Sequence, residues 1–119
     1  MANAILRRAT SDMSFVTAKE LAAMLGSAHP PKLLDVREPE EFELVALPHA
    51  RLLPLGQIPS RFCEIEEWKG QEIVVYCHHG VRSLHAIHFL REVGFDQLIN
   101  LSGGIDAWSR EVDPEMPRY

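Results

Sequence analysis

Apolar residues along this chain follow two different periods, and the places where one gives way to the other divide it into elements. Residues 73–76, Ile-Val-Val-Tyr, form an unbroken β-branched and aromatic run. Such a run suits a strand covered on both faces of a parallel sheet. Soon afterwards Leu84, Ile87, Leu90 and Val93 recur at helical spacing, which predicts a helix from Ser83 that stops at Gly94. The same alternation runs through the rest of the sequence. Residues 14–16 read as a short edge strand, and Thr17-Ala18-Lys19-Glu20 has the form of a capping box opening a helix to Leu25, with Leu21 and Leu25 toward the sheet and Gly26 as its stop. Residues 32–36 read as a second strand and 38–42 as a short helix with Pro39 in its first turn. Residues 51–55 make a short strand closed by Pro54, and 59–68 a helix burying Phe62, Ile65 and Trp68. The last strand is expected at 97–101, followed by a Gly103-Gly104 turn into a helix carrying Ile105 and Trp108, both core residues. Helices between short apolar strands predict an α/β fold with a central, mostly parallel sheet and helices on both faces.

The chemistry concentrates where the buried strand ends, at Cys77-His78-His79-Gly80-Val81-Arg82-Ser83. Ligand sites of open α/β sheets lie at the carboxyl ends of strands. A helix N-terminus presents unpaired N–H groups and a partial positive charge, and both favour an anion in front of them. A thiolate is such an anion: a free cysteine thiol has a pKa near about 8.5, and a helix N-terminus with an arginine nearby lowers it. Arg82 is placed to help, and Gly80 allows the backbone to curl so that successive N–H groups form an anion nest. The alternative is that Cys77 is a small buried hydrophobe. The polar loop offers an inert thiol little to pack against, so Cys77 is read as the reactive nucleophile.

This segment, together with Leu33-Leu34-Asp35-Val36-Arg37-Glu38-Pro39-Glu40-Glu41-Phe42 and Leu101-Ser102-Gly103-Gly104-Ile105-Asp106-Ala107-Trp108, closely resembles the rhodanese-like (sulfurtransferase) family over almost the whole chain. The resemblance implies the family's three-layer fold and a sulfurtransferase that needs no bound cofactor. In the chemistry it implies, Cys77 attacks the outer sulfur of a donor such as thiosulfate, carries it as a persulfide, and yields it to cyanide or a thiol. His78, His79, Gly80, Val81, Arg82 and Ser83 would bind the substrate. Asp35 and Arg37 would support the site by pairing with neighbouring loops, as the corresponding family residues tend to do. One segment departs from the family: Val45 and His49 stand where many members have glycines, so a changed local turn is expected there. Two other readings compete. A non-catalytic or regulatory module, or a sulfur relay to a partner protein, is the first. A cysteine-dependent phosphatase or arsenate reductase is the second; four residues separate Cys77 from Arg82 here, whereas the phosphatase relatives use about five, and the smaller ring suits sulfur better than phosphate.

Size and charge narrow the partners. With 119 residues, 46% of them hydrophobic, the chain suits one domain, its core at about 14–112 between an N-terminal leader and a poorly ordered tail from Asp113 to Tyr119. A net charge of -5 offers no footprint for nucleic acid, and no apolar run is long enough for a bilayer. Expected partners are a small sulfur-containing anion as donor and a thiol, thioredoxin-like or other protein as acceptor. No signal peptide is recognisable, so a cytoplasmic location is expected. Cys63 and Cys77 do not make a disulfide framework, and sequence alone cannot bring the two sulfurs within bonding distance. The histidines do not have metal-ligand spacing. His85 and His88 belong to the helix beyond the loop, His29 to a solvated loop and His49 to a structural turn, while His78 and His79 would line the pocket mouth, partly protonated and attractive to an anion.

Overall fold

A computed structural model of the protein describes residues 7–8 and 14–119. Among the described residues six strands form one sheet: β1 (Arg7–Arg8), β2 (Ser14–Val16), β3 (Lys32–Asp35), β4 (Arg51–Leu52), β5 (Ile73–Tyr76) and β6 (Leu98–Leu101), in the order β1-β2-β6-β5-β3-β4. Every neighbouring pair is parallel except β1 with β2. β1 falls within the segment expected as a leader; the rest of 1–13 lies outside the described residues. Five α-helices accompany the sheet: α1 (Ala18–Leu25), α2 (Pro39–Leu44), α3 (Ile58–Arg61), α4 (Val81–Glu92) and α5 (Gly104–Glu111).

The strand period of two sorts the core into two halves. Val74 and Tyr76 of β5 face one way and join Leu21, Ile99, Leu101, Ile105 and Trp108, beneath α1 and α5. Ile73, Val75 and Cys77 face the other way and join Ile58, Ile65, Ala86, Ile87 and Leu90, beneath α3 and α4. The sheet is therefore covered by helices on both faces, and all four residues of β5 are buried. Burial of the apolar surface drives this layering at about 25 cal/mol per Å2.

Local signals set most boundaries. Thr17 and Glu20 form the reciprocal capping box, with Glu20 N–H donating to Thr17 Oγ1 at 3.1 Å and Thr17 N–H to Glu20 Oε1 at 2.9 Å. In α1 the inward residues are Ala18, Leu21 and Met24, while Leu25 is only half-buried. Residues 59–68, expected as one helix, are broken: α3 gives way to a 3-10 helix over Phe62–Trp68, with non-helical backbone at Ile65. Ile65, in the middle of the Phe62, Ile65 and Trp68 stripe, leaves helical geometry at φ -117° and ψ 25°, so the segment is two short turns across a kink. The family departure at 45–49 also has a clear form. Val45 is extended, at φ -164°, a conformation open to any residue, whereas His49 holds φ 65°. The turn keeps the left-handed backbone a glycine adopts freely, now carried by a side chain.

Candidate active site

The loop after β5 brings the chemistry to the sheet's carboxyl edge. α4 begins at Val81, two residues before the expected start, because Gly80 at φ 112° turns the chain straight into the helix from its cap position. Ser83 therefore lies in the first turn, where its N–H has no partner within the helix. That N–H points at Cys77 Sγ from 3.4 Å, and the Gly80 N–H donates to the same sulfur from 3.1 Å. The Ser83 hydroxyl is 3.5 Å from the sulfur and donates to Asn100 Oδ1. Cys77 and Ser83 are buried, so few competing water molecules share these donors.

The opposite side of the loop is tied down by α5. Ile105 N–H donates to the Cys77 carbonyl at 2.9 Å and Asp106 N–H to the His78 carbonyl at 3.0 Å. The loop's carbonyls thus point toward one helix N-terminus, leaving Gly80 N–H and Ser83 N–H directed at the sulfur. Gly104 makes the approach available: it has φ 62°, and a Cβ there would lie 2.4 Å from the His78 carbonyl oxygen and 2.5 Å from that of Cys77. Both obstacles are backbone and cannot rotate aside. Gly104→Ala is expected to destabilise the fold by about 2–3 kcal/mol and, by shifting the loop, to lower the kcat/KM of any reaction at Cys77 roughly 100-fold. Urea unfolding and steady-state kinetics on one preparation check both.

Arg82 feels the charge of Cys77, but its hydrogen bonds go to a carboxylate. Its Nη1 and Nη2 donate to Glu41 Oε1 and Oε2 of α2 at 2.8 and 2.9 Å, a bidentate pair. Glu41 Oε1 also accepts the Glu38 N–H at 2.9 Å, and Oε2 accepts the Tyr119 hydroxyl at 2.8 Å. The Arg82 bonds, against the opposing effect of burial, hold the Glu41 carboxyl down at about 2. Burial acts first on Tyr119 and pushes its phenol up to about 12, so it stays a neutral donor.

Asp35 and Arg37 form a pair within the fold. Both side chains are fully buried. Arg37 Nε donates to Asp35 Oδ1 at 2.9 Å, Nη2 donates to Oδ2 and to the Val45 carbonyl, each at 2.6 Å, and Nη1 donates to the Tyr119 hydroxyl at 2.7 Å. Burial opposes the charge on Arg37, but its bonds to Asp35 and Tyr119 outweigh burial and raise its pKa. The pair reaches the loop's surroundings through Tyr119. Residues 113–119, expected as a poorly ordered tail, fold back here: the Tyr119 ring stacks on His78 at 3.9 Å and 10°, and Arg118 Nη2 pairs with Asp106 Oδ1 at 3.1 Å.

The remaining predicted residues divide. His78 is half-buried, and His79 and Val81 are exposed. Burial first, then the neighbouring His79, lowers the His78 pKa against the pull of Asp106 and Glu41, which works against the positive charge expected of it. His49 lines a cleft with Lys32, Leu33 and Trp68, where β3 begins, away from the edge where Cys77 lies. Cys63 and Cys77 are free thiols, the first exposed and the second buried. His78, His79 and Asp106 place one ligand atom each within 4.8 Å of one another, a grouping that sequence reading did not assemble because Asp106 is distant in the chain. The two rings lie 3.9 Å apart, tilted by 32°, and Asp106 is already paired with Arg110 and Arg118. Asn100 and Glu41 were also missed as parts of the site. A polar residue in an otherwise apolar strand was the signal for Asn100, which shares the α4 side of the sheet with Leu98; Glu41 stood in the Leu33–Phe42 motif without a role, and nothing local marked Tyr119.

The model of the rhodanese-like domain matches residues 17–111 of this chain. A protein named sulfurtransferase from Allochromatium vinosum is 36% identical over 99 residues, covering 83% of this chain and 91% of that one. The probable adenylyltransferase/sulfurtransferase MoeZ of Mycobacterium tuberculosis is 35% identical over 106 residues; the match takes in 89% of this chain and 27% of the relative, so the chain spans about a quarter of that protein's length. Among solved structures, a rhodanese-like domain protein from Staphylococcus aureus superposes with a TM-score of 0.73 at 28% identity, covering 88% of this chain and 97% of that chain.

Proposed function

Because the chain belongs to the rhodanese-like sulfurtransferase family, we propose that it moves a sulfane sulfur from a small donor, such as thiosulfate, to a thiol or cyanide through a persulfide on Cys77. The observation that carries this reading is the pair of N–H donors, Gly80 at 3.1 Å and Ser83 at 3.4 Å, converging on Cys77 Sγ. Such donors stabilise negative charge on the attacking sulfur and on the persulfide that replaces it, and they are already in place before the reaction.

With thiosulfate, the Cys77 thiolate forms a bond to the outer sulfur while the bond between the two donor sulfurs breaks. Sulfite leaves with that electron pair, and Cys77 holds a persulfide anion. An acceptor thiolate or cyanide then attacks the outer sulfur of the persulfide; that sulfur goes to the acceptor, giving a new persulfide or thiocyanate, and the Cys77 thiolate is restored. No separate general base is required, since Cys77 attacks as the thiolate. Thiol or protein acceptors fit this scheme, since a relative such as MoeZ bears both adenylyltransferase and sulfurtransferase in its name. The bidentate Arg82–Glu41 pair weighs against a phosphatase, whose loop arginine must be free for the oxyanion.

Intact mass after incubation with thiosulfate and gel filtration tests the proposal. A gain of about 32 Da, the mass of one sulfur, which cyanide or a thiol then discharges, is the expected result. Absence of any adduct with thiosulfate and with polysulfide would overturn it. Among the described residues no helix is long and apolar enough to cross a membrane.

A further inference from the structure

The cation of the active-site loop is already in use. Arg82 spends both terminal nitrogens on Glu41, at 2.8 and 2.9 Å. Glu41 is itself fixed by the Tyr119 hydroxyl at 2.8 Å, and that hydroxyl is held in turn by Arg37 Nη1 at 2.7 Å. The Tyr119 ring is set by its stack on His78. Arg37 is paired with Asp35. The groups that touch Cys77 Sγ are N–H dipoles, and the loop's guanidinium, which still feels the Cys77 charge, is matched by a carboxylate. A dipolar cradle holds one thiolate or persulfide charge, but it gives little extra attraction to a ligand that arrives with two charges.

We propose that Glu41 is a specificity-determining residue, positioned by Tyr119, that masks Arg82 and so discriminates against small dianionic donors in favour of persulfides of thiols. This rests on the sulfurtransferase reading of the same site. With a persulfide donor, Cys77 thiolate takes the outer sulfur of R–S–SH, the S–S bond breaks, and R–S⁻ leaves with the electron pair while the proton stays on the transferred sulfur. The leaving group is a single thiolate, whereas thiosulfate must bring two charges to the mouth and release the sulfite dianion.

The test compares thiosulfate with cysteine persulfide as donors for the wild type, Glu41→Gln and Tyr119→Phe. Glutamine keeps an oxygen to accept the Glu38 N–H, and phenylalanine keeps the ring that stacks on His78. Glu41→Gln is expected to lower KM for thiosulfate about tenfold, the order of effect of removing one charge several ångströms from a partly exposed site. The ratio of kcat/KM for thiosulfate to that for cysteine persulfide should rise by the same factor, and the gain should shrink in about 1 M salt. Tyr119→Phe should move the ratio the same way, by about threefold. An unchanged or increased thiosulfate KM in Glu41→Gln would overturn the masking role, because it would mean that the pair orients Arg82 for the donor or does nothing to it. Sulfate, an unreactive dianion, separates this inference from the proposed function. Tighter sulfate binding by Glu41→Gln supports the masking even if no sulfur is ever loaded on Cys77, and equal sulfate binding in the two proteins counts against it.

Discussion

Replacing Cys77 by serine is expected to abolish the persulfide adduct and to lower sulfur transfer at least about 10^4-fold, since a hydroxyl is neither ionised at neutral pH nor able to carry sulfane sulfur. The fold should survive. Serine is smaller than cysteine, and its hydroxyl can accept the Gly80 and Ser83 N–H bonds that now end on Sγ, so no buried donor is left without a partner. Equal urea midpoints for the two proteins, with a mass gain confined to the wild type, would locate the carrier at Cys77. Residual transfer above about 1% of wild type would place the carrier elsewhere, and Cys63, the exposed free thiol, would be the next residue to replace.

The second large effect is on stability. Asp35→Ala is expected to cost about 3–5 kcal/mol, because Arg37 would remain fully buried with its main charge partner gone. The loss is larger than for an ordinary hydrogen bond. Arg37 is permanently charged, and the surviving acceptors, the Val45 carbonyl and the Tyr119 hydroxyl, are neutral. The double variant Asp35→Leu with Arg37→Met should cost less than Asp35→Ala alone, since it removes both charges and refills the volume. Urea unfolding of the three proteins at one pH checks the order. A single variant within about 1 kcal/mol of wild type would mean that water reaches Arg37 once Asp35 is gone.

How far the sequence could be read depended on the range of the interaction that settled each feature. α1 was legible to the residue because the Thr17–Glu20 box is complete within four residues of chain. β5 and its end at Cys77 were legible because a strand covered on both faces needs apolar residues at every position. The segment 59–68 was expected as one helix because its apolar stripe is unbroken, but the backbone leaves helical geometry at Ile65, in the middle of that stripe. The start of α4 was placed late because hydrophobic spacing begins at Leu84, whereas backbone conformation at Gly80 starts the helix at Val81.

At the site, chain order and chemistry were enough to select Cys77 and the loop that follows it: an apolar strand, a thiol, a glycine and a helix are local features, and local features determine where N–H groups are left unpaired. Tertiary structure alone decided what surrounds them. Glu41 meets Arg82 across 41 positions and Tyr119 meets Glu41 across 78, while Asp106 and Gly104 reach the loop from the last helix. Those contacts depend on β6 lying beside β5 and on segment 113–119 folding back over the sheet's carboxyl edge. An arginine near a thiol can either serve an anion or be occupied by a carboxylate. The sequence lists both partners, and the packing of distant elements chooses between them.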